Sequence, residues 1–239
     1  DKWIAKESSS TPFERYADDI VIHCVNIKEA LRLLEKVKKR FKDCKLELNQ
    51  EKSKIVYCRN NQKRQPPFKV RYQKFDFLGY TFKPRIVKER GKIKLGFSPA
   101  ISQKSMSRIA SELKTMDFHR WVHFPISRIA ELMKLKIRGW INYYGIGDMK
   151  NFIRETAQWL NHRLRQLIWK RWKRVSTRFY GLMRYGIDRE EAWKVANSRK
   201  GYWRMSKNQT IHRAINNKRL ASWGLKDLNQ LYQHRYLSY

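Results

Sequence analysis

The chain has 239 residues with 54 Lys and Arg against 21 Asp and Glu, a formal charge of +33. That excess sets it apart from ordinary near-neutral enzymes, and self-repulsion of this size calls for a polyanion or high salt. With 41% hydrophobic residues, 13% aromatics and only 10 Gly and 6 Pro, packed cores are within reach and a disordered basic tail is excluded. Cys24, Cys44 and Cys58 form no Cys-x-x-Cys pair, which excludes a disulfide framework or thiolate zinc site and points to a reducing compartment. There is no apolar run of membrane-spanning length. Because the first residue is Asp1 and a dense motif follows within a dozen positions, the chain is expected to begin inside a longer reading frame.

Residues 1–100 carry 25 basic and 12 acidic side chains, and residues 101–239 carry 29 and 9. Eight of the nine Trp also lie after residue 100. Aromatics among Arg and Lys suit a surface that grips phosphates while stacking on bases, although most large aromatics are core residues.

From the N-terminus, Phe13 to Val25 reads as two β-prone runs meeting at Asp18-Asp19, a hairpin with carboxylates at its tip. Asn26, with Glu29 at the capping-box position, starts a helix that continues through Ala30, Leu34, Val37 and Phe41 to about Lys42. Lys45 to Leu48 and Lys54 to Cys58 are predicted short strands, and Asn60 to Lys74, with Pro66-Pro67, a polar loop. Strands are predicted again over Phe75 to Phe82 and Lys92 to Phe97.

At Ser98-Pro99 the apolar period changes from two to about 3.6, so the expected domains are 1–97 and 98–239. The second is expected to be all-helical. Met106 to Met116 and Ile126 to Gly145 mark two helices, and a long third helix carries a stripe of Ile153, Leu160, Leu164, Leu167 and Ile168. Beside that stripe Phe152, Trp159, Arg163, Lys170 and Arg174 form a row of aromatic and cationic groups. Shorter helices are predicted over Glu190 to Asn197, Lys207 to Asn217 and Leu225 to Tyr232, with Asp188 and Glu191 as an N-terminal signal. The fold class is therefore α+β.

Adjacent aspartates at a hairpin tip can hold Mg²⁺, a hard cation that takes carboxylate oxygens, although Asp is also a favoured turn residue. Here the context is specific. Arg15-Tyr16-Ala17-Asp18-Asp19, flanked by β-branched residues, resembles the Tyr-x-Asp-Asp motif of reverse transcriptases. Leu46 to Ile55 is similar to the next palm motif of the group II intron reverse transcriptases, and Phe75 to Phe82 to their primer-grip motif. Arg138-Gly-Trp-Ile-Asn-Tyr-Tyr-Gly145 resembles the core of their maturase domain, also called domain X or the thumb. Four ordered motifs at suitable spacing carry the resemblance.

This resemblance implies an RNA-directed DNA polymerase, a nucleotidyltransferase using two Mg²⁺ ions, that also assists splicing and mobility of its own intron. The implied architecture is the C-terminal half of a polymerase palm, an antiparallel sheet with a packing helix, followed by an all-α thumb. Asp18 and Asp19 match the family's metal-binding and catalytic carboxylates, and Tyr16 the residue near the incoming nucleotide. Phe77, Leu78, Gly79 and Tyr80 match the segment supporting the primer end. Lys52 or Lys54 is a candidate to protonate departing pyrophosphate, or otherwise a solvated charge or phosphate contact. The implied partners are intron RNA, an RNA template with a DNA primer, dNTPs and target DNA, with no membrane. The implied setting is bacterial cytoplasm, associated with nucleoid or RNA, or an organelle.

The family's first catalytic aspartate and its fingers lie upstream of this hairpin, so the stretch alone is expected to be inactive without its N-terminal half. The resemblance offers no Cys/His-rich nuclease segment within this sequence, so a DNA-cutting domain is not expected from it. A non-catalytic RNA-binding splicing module is the alternative reading. His119 and His123, four apart, could share a helix face but lack a third ligand, and His23 could face the core. Trp159, Arg163, Lys170 and Arg174 are candidates for nucleic-acid contact, as are Arg199, Lys200, Trp203 and Arg204.

Overall fold

Residues 1–59, 71–89 and 92–237 are described by the computed structural model, and the chain divides into two units, 1–98 and 99–239. In the first, helix α1 (Lys2–Glu7) precedes strands β1 (Phe13–Tyr16) and β2 (Asp19–Ile22), and helix α2 (Ile27–Asp43) follows them. The strands pair antiparallel with Phe13 opposite Ile22 and Tyr16 opposite Asp19. Directly opposed residues share a face, so Phe13 and Arg15 lie with Ile20 and Ile22. Phe13, Arg15 and Ile20 line a cavity of about 290 Å³ together with Trp3 and Ile4 of α1 and Val37 and Phe41 of α2. The other face, with Glu14, Tyr16, Asp19 and Val21, is turned away from those helices.

The start of α2 shows why the chain turns there. Asn26 Oδ1 accepts the Glu29 N–H (2.9 Å), while Glu29 accepts the Val25 N–H (2.9 Å) and the buried Thr11 hydroxyl (2.7 Å). Glu29 thus reaches one residue further back than a capping box requires and ties the helix to the approach of β1. Leu33 and Val37 are buried, contributing about 1.5–3 kcal/mol each if fully removed from water.

Strands β3 (Phe75–Phe77), β4 (Tyr80–Glu89) and β5 (Lys92–Ile101) form an antiparallel β3–β4 hairpin within a three-stranded sheet of that order. The expected single strand over Phe75 to Phe82 is therefore two strands. The chain reverses at Leu78 (φ 50°) and Gly79 (φ 77°), both in the left-handed region that a type I′ turn demands. The reversal stacks Phe75 on Phe82, with ring centroids 5.0 Å apart, an apolar contact that offsets part of the strain of Leu78. Strand β5 runs past the expected end at Phe97 and through Pro99, which an edge strand tolerates because its outer N–H is not needed.

The expected strands at Lys45 to Leu48 and Lys54 to Cys58 make no ladder among the described residues. Asn49 takes the local backbone instead, accepting the Lys52 N–H on its side chain (3.0 Å) and the Ser53 N–H on its carbonyl (2.9 Å). Of the expected loop at Asn60 to Lys74, residues 60–70 lie outside the described residues.

The second unit comprises α3 (Gln103–Lys114), a 3₁₀ turn (Arg120–His123), α4 (Ile126–Tyr144), α5 (Lys150–Arg171), α6 (Val175–Arg184), α7 (Arg189–Ala196), α8 (Tyr202–Met205), α9 (Gln209–Ala214), α10 (Asn217–Ser222) and α11 (Leu228–Leu237). Helix α5 is the axis, packing against the 3₁₀ turn, α8 and α11. Its Leu160, Leu164 and Trp169 are fully enclosed, with Ile109, Phe118, Ile129 and Met133 from the elements before it.

Two helix boundaries differ from expectation. The third helix stops at Arg171 rather than Arg174: Arg178 Nε donates to the Trp172 carbonyl (2.8 Å), and the Trp172 ring stacks on Tyr185 at 6.0 Å. The chain then forms α6, which periodicity alone did not announce. The expected Lys207 to Asn217 helix divides because Asn216 Oδ1 accepts the Arg219 N–H (2.9 Å) and starts α10 afresh.

The Arg138 to Gly145 segment closes α4. Tyr144 is buried and its hydroxyl accepts from Arg108 (2.7 Å). A Cβ on Gly145 would stand 2.3 Å from the Ile141 carbonyl oxygen and 2.9 Å from Arg235 Cγ, whereas one on Gly139 would meet nothing within 4 Å. Two glycines of one motif should therefore respond oppositely. Gly145→Ala is expected to cost about 1–3 kcal/mol by overpacking, and Gly139→Ala to gain about 0.5–1 kcal/mol of helix propensity, both read from denaturant midpoints.

A second expectation concerns acid. The Thr11 hydroxyl, then the Val25 N–H, hold the Glu29 carboxyl below its ordinary value. A carboxyl depressed in the folded state contributes stability that is complete above its unfolded pKa, about 4.3, and lost as pH falls through the folded value. Thermal unfolding between pH 6 and 3 should therefore show a steeper loss in the wild type than in Glu29→Gln.

Candidate catalytic hairpin and nucleic-acid interface

Two residues, Ala17 and Asp18, connect β1 to β2, and Ala17 sits at φ 53°, the positive φ that hairpin turns require at their first central position. Alanine does not favour that region, and Arg15 braces it. The Arg15 guanidinium holds the Asp1 carboxylate with two bonds (2.6 and 2.9 Å) and donates a third to the Ala17 carbonyl (2.9 Å). The turn is thus set by a cation on the helix-facing side.

Asp18 and Asp19 are both exposed, and Asp19 lies with Tyr16 on the face turned away from α1 and α2. Tyr16 is 64% exposed, a large aromatic surface beside the carboxylates. Neither aspartate makes an ion pair or side-chain hydrogen bond with a described residue, although other acids do, including Asp1, Glu7, Glu14 and Glu191. Asp43, Glu47, Glu51 and Glu155 are likewise exposed and make no such contact with a described residue, so what sets Asp18 and Asp19 apart is that they stand side by side at a hairpin turn. As hard, uncommitted oxygen donors the two residues suit Mg²⁺ in kind. Among the described residues no group of three or more His, Cys, Asp and Glu gathers into a metal site.

The other candidates distribute as follows. Phe77, Leu78, Gly79 and Tyr80 are half-buried and form the β3–β4 turn, where Gly79 is demanded by its positive φ. Lys52 is exposed, and the Lys54 ammonium lies 5.0 Å over the Tyr72 ring, which leaves Lys52 the less committed cation. His23 does not face the core: it is exposed just beyond β2 and bonds to Glu14. His119 and His123 bracket the 3₁₀ turn and are exposed. Its period of three does not align residues four apart.

The row predicted along α5 comes apart. Trp159 and Arg163 are half-buried, with Arg163 5.1 Å over Phe118 and 5.9 Å over Trp159, and burial lowers the Arg163 pKa. Phe152 is half-buried and Lys170 exposed, while Arg174 lies beyond the helix as the cap residue of α6. Near the C-terminus Arg199, Lys200 and Arg204 are exposed. Trp203 is half-buried, meeting His162 edge-on at 6.1 Å, with Lys207 5.3 Å over its ring.

Sequence reading missed an aromatic surface on α6 and α7. Tyr180 (68% exposed) and Trp193 (58% exposed) flank Phe179, whose ring lies 5.2 and 5.6 Å from theirs. Arg184, Arg189 and Lys194 are exposed on the same two helices. The available signal was the spacing of Tyr180 to Arg184 and Arg189 to Trp193, each a helical i,i+4 pair, but it needed α6 to be foreseen.

Comparison with known families agrees with both units. Residues 2–82 match the model of the reverse transcriptase (RNA-dependent DNA polymerase) family, and residues 106–186 match the group II intron, maturase-specific domain. A search of curated proteins returned no match. No helix among the described residues is long and apolar enough to cross a membrane. The matches are consecutive, do not overlap and cover about two thirds of the chain, and a reverse transcriptase segment joined to a maturase-specific domain in one polypeptide places this protein in the group II intron reverse transcriptase/maturase family.

Proposed function

We propose that Asp18 and Asp19 contribute metal-binding carboxylates to the polymerase centre of the intact enzyme, which copies intron RNA into DNA. The observation that carries this reading is the uncommitted, exposed aspartate pair, held on a braced turn in a chain where carboxylates are scarce. A module that only binds RNA gains nothing from two adjacent negative charges on its open face.

In the proposed reaction the primer 3′-oxygen attacks the α-phosphorus of a dNTP, the bond to pyrophosphate breaks, and the hydroxyl proton passes to solvent. Mg²⁺, when bound, supplies a lower pKa for the attacking hydroxyl and neutralises charge on the phosphates. The chain's own residues position the reactants. Tyr16 offers its exposed ring beside the carboxylates, the Phe77 to Tyr80 turn supports the primer strand, and Lys52 is the candidate donor of a proton to pyrophosphate. A two-metal centre needs more ligand oxygens than two adjacent side chains present, so the proposal includes a further carboxylate from outside this stretch and no polymerisation by the stretch alone.

Nucleic acid is proposed to lie on exposed cations and stacking surfaces: Arg199, Lys200 and Arg204 near the C-terminus, and Tyr180 with Trp193 on α6 and α7. The intron RNA, the RNA template with its DNA primer and the target DNA are the strands such a surface would take.

Asp18→Asn in the intact enzyme should lower cDNA synthesis by about three orders of magnitude or more, the rate equivalent of several kcal/mol. Affinity for intron RNA should not change. Retained synthesis would refute the metal role. A second measurement separates surface from interior cations. Lys200→Ala should reduce the slope of log affinity for RNA against log salt by about 0.7–0.9 at unchanged stability, whereas Arg163→Ala should lower the melting temperature and leave the slope alone.

A further inference from the structure

A shallow cavity of about 440 Å³ in the second unit is lined by Arg165, His212, Asn216, Asn217 and Lys218. None of these is a carboxylate. Arg165 is only 3% exposed, and it donates Nε to the Ile215 carbonyl (2.8 Å) and Nη2 to Asn217 Oδ1 (2.7 Å). Its Nη1 bonds no described residue. A buried guanidinium without a counter-charge is costly, and burial draws the Arg165 pKa down to about 10.

The groups around it are oriented as donors. Arginine can only donate, so Asn217 must present Oδ1 to Arg165, and that oxygen also takes Asn161 Nδ2 (3.2 Å). Its own amide hydrogens remain available. Asn216 is committed likewise, since its Oδ1 accepts the Arg219 N–H, and the exposed Lys218 ammonium forms no ion pair with a described residue. His212 Nε2 and His162 Nδ1 share the Ser206 carbonyl at 2.9 and 3.1 Å, so both donate there. Burial, then the Arg165 charge, lower the His212 pKa.

A concave wall that holds one buried cation, one exposed cation and two amides with free hydrogens, and no acceptor of matching charge, is complementary to an anion. We infer that this cavity binds one backbone phosphate of a bound nucleic-acid strand, with Arg165 and Lys218 neutralising it and the Asn216 and Asn217 amides donating to its oxygens. The preference for an anion rests on the donors alone, while the choice of a diester rests on the proposed function.

The test uses the full chain. Imidazole resonances of His212 are followed while inorganic phosphate, and separately a single-stranded RNA oligonucleotide, are added, and RNA affinity is measured against salt for the wild type and Lys218→Ala. The expected result is that both additions move the His212 resonances and raise its pKa, a response that a purely structural Arg165 would not produce. Lys218→Ala, an exposed change, should cut the slope by about 0.7–0.9 without altering the melting temperature. Arg165→Lys, which keeps the charge but loses the fork, is expected to weaken both responses. If RNA binds while His212 stays still and Lys218→Ala keeps the full slope, the cavity is not a phosphate site and the proposed function survives. If phosphate moves His212 but RNA neither does so nor competes, the diester is overturned in favour of a free anion. If the wild type binds no RNA, the proposed function falls and the diester with it.

Discussion

The constraint on which this molecule depends is a shortage of carboxylates: 21 acids cannot neutralise 54 basic side chains. Arginines that pack within or against the second unit are therefore held by backbone carbonyls and ring faces. Arg165 takes the carbonyl of Ile215 at the end of α9, and Arg219 that of Ala214 one residue earlier. Arg171 takes Val122 and Phe124 at the end of the 3₁₀ turn, and Arg178 takes Trp172 at the end of α5. These are helix C-termini, where carbonyls lack partners and the dipole is negative. Aromatic faces supply the rest, with Arg178 over Trp169, Arg219 over Tyr185 and Arg163 over Phe118.

This arrangement gives several short helices a structural purpose. The ends of the 3₁₀ turn, α5 and α9 expose carbonyls that a neighbouring guanidinium claims, so charge that would otherwise disrupt a core becomes its cross-linking. It also bears on the aspartate pair in the first unit, whose metal role is proposed. Carboxylates that serve the fold are engaged, as Glu29 is by Thr11 and Val25, or Glu191 by Thr210 and Arg213. Asp18 and Asp19 engage no described side chain, which is what their proposed role requires, while Arg15 braces their turn from the opposite face.

Much of the candidate site was legible because it is local. The Tyr16 to Asp19 turn needs only two β-prone runs and a polar pair, and the Asn26 and Asp188 caps act on backbone N–H groups two or three residues away. The α5 row misled because helical spacing says which residues share a face and not what covers it. Trp159 and Arg163 were placed in the right sector, but Phe118, some forty positions earlier, closes over them. The hairpin at Leu78-Gly79 was missed for another reason. Leu78 at positive φ runs against its own preference, and the reversal it makes brings Phe75 onto Phe82 and Phe97, contacts that spacing along the chain does not announce.

The sequence by itself determined the charge, the division into strand-period and helix-period halves, the four ordered motifs and the residues offered for chemistry, since each is a property of composition or near-neighbour spacing. Tertiary structure decided which cations are solvated and which are interior, where α5 stops, and that Arg165 and Lys218 share one cavity across more than fifty residues of chain. The physical reason is that burial and hydrogen-bond partnership are set by groups distant in sequence, so identical side chains acquire different roles according to what packs against them.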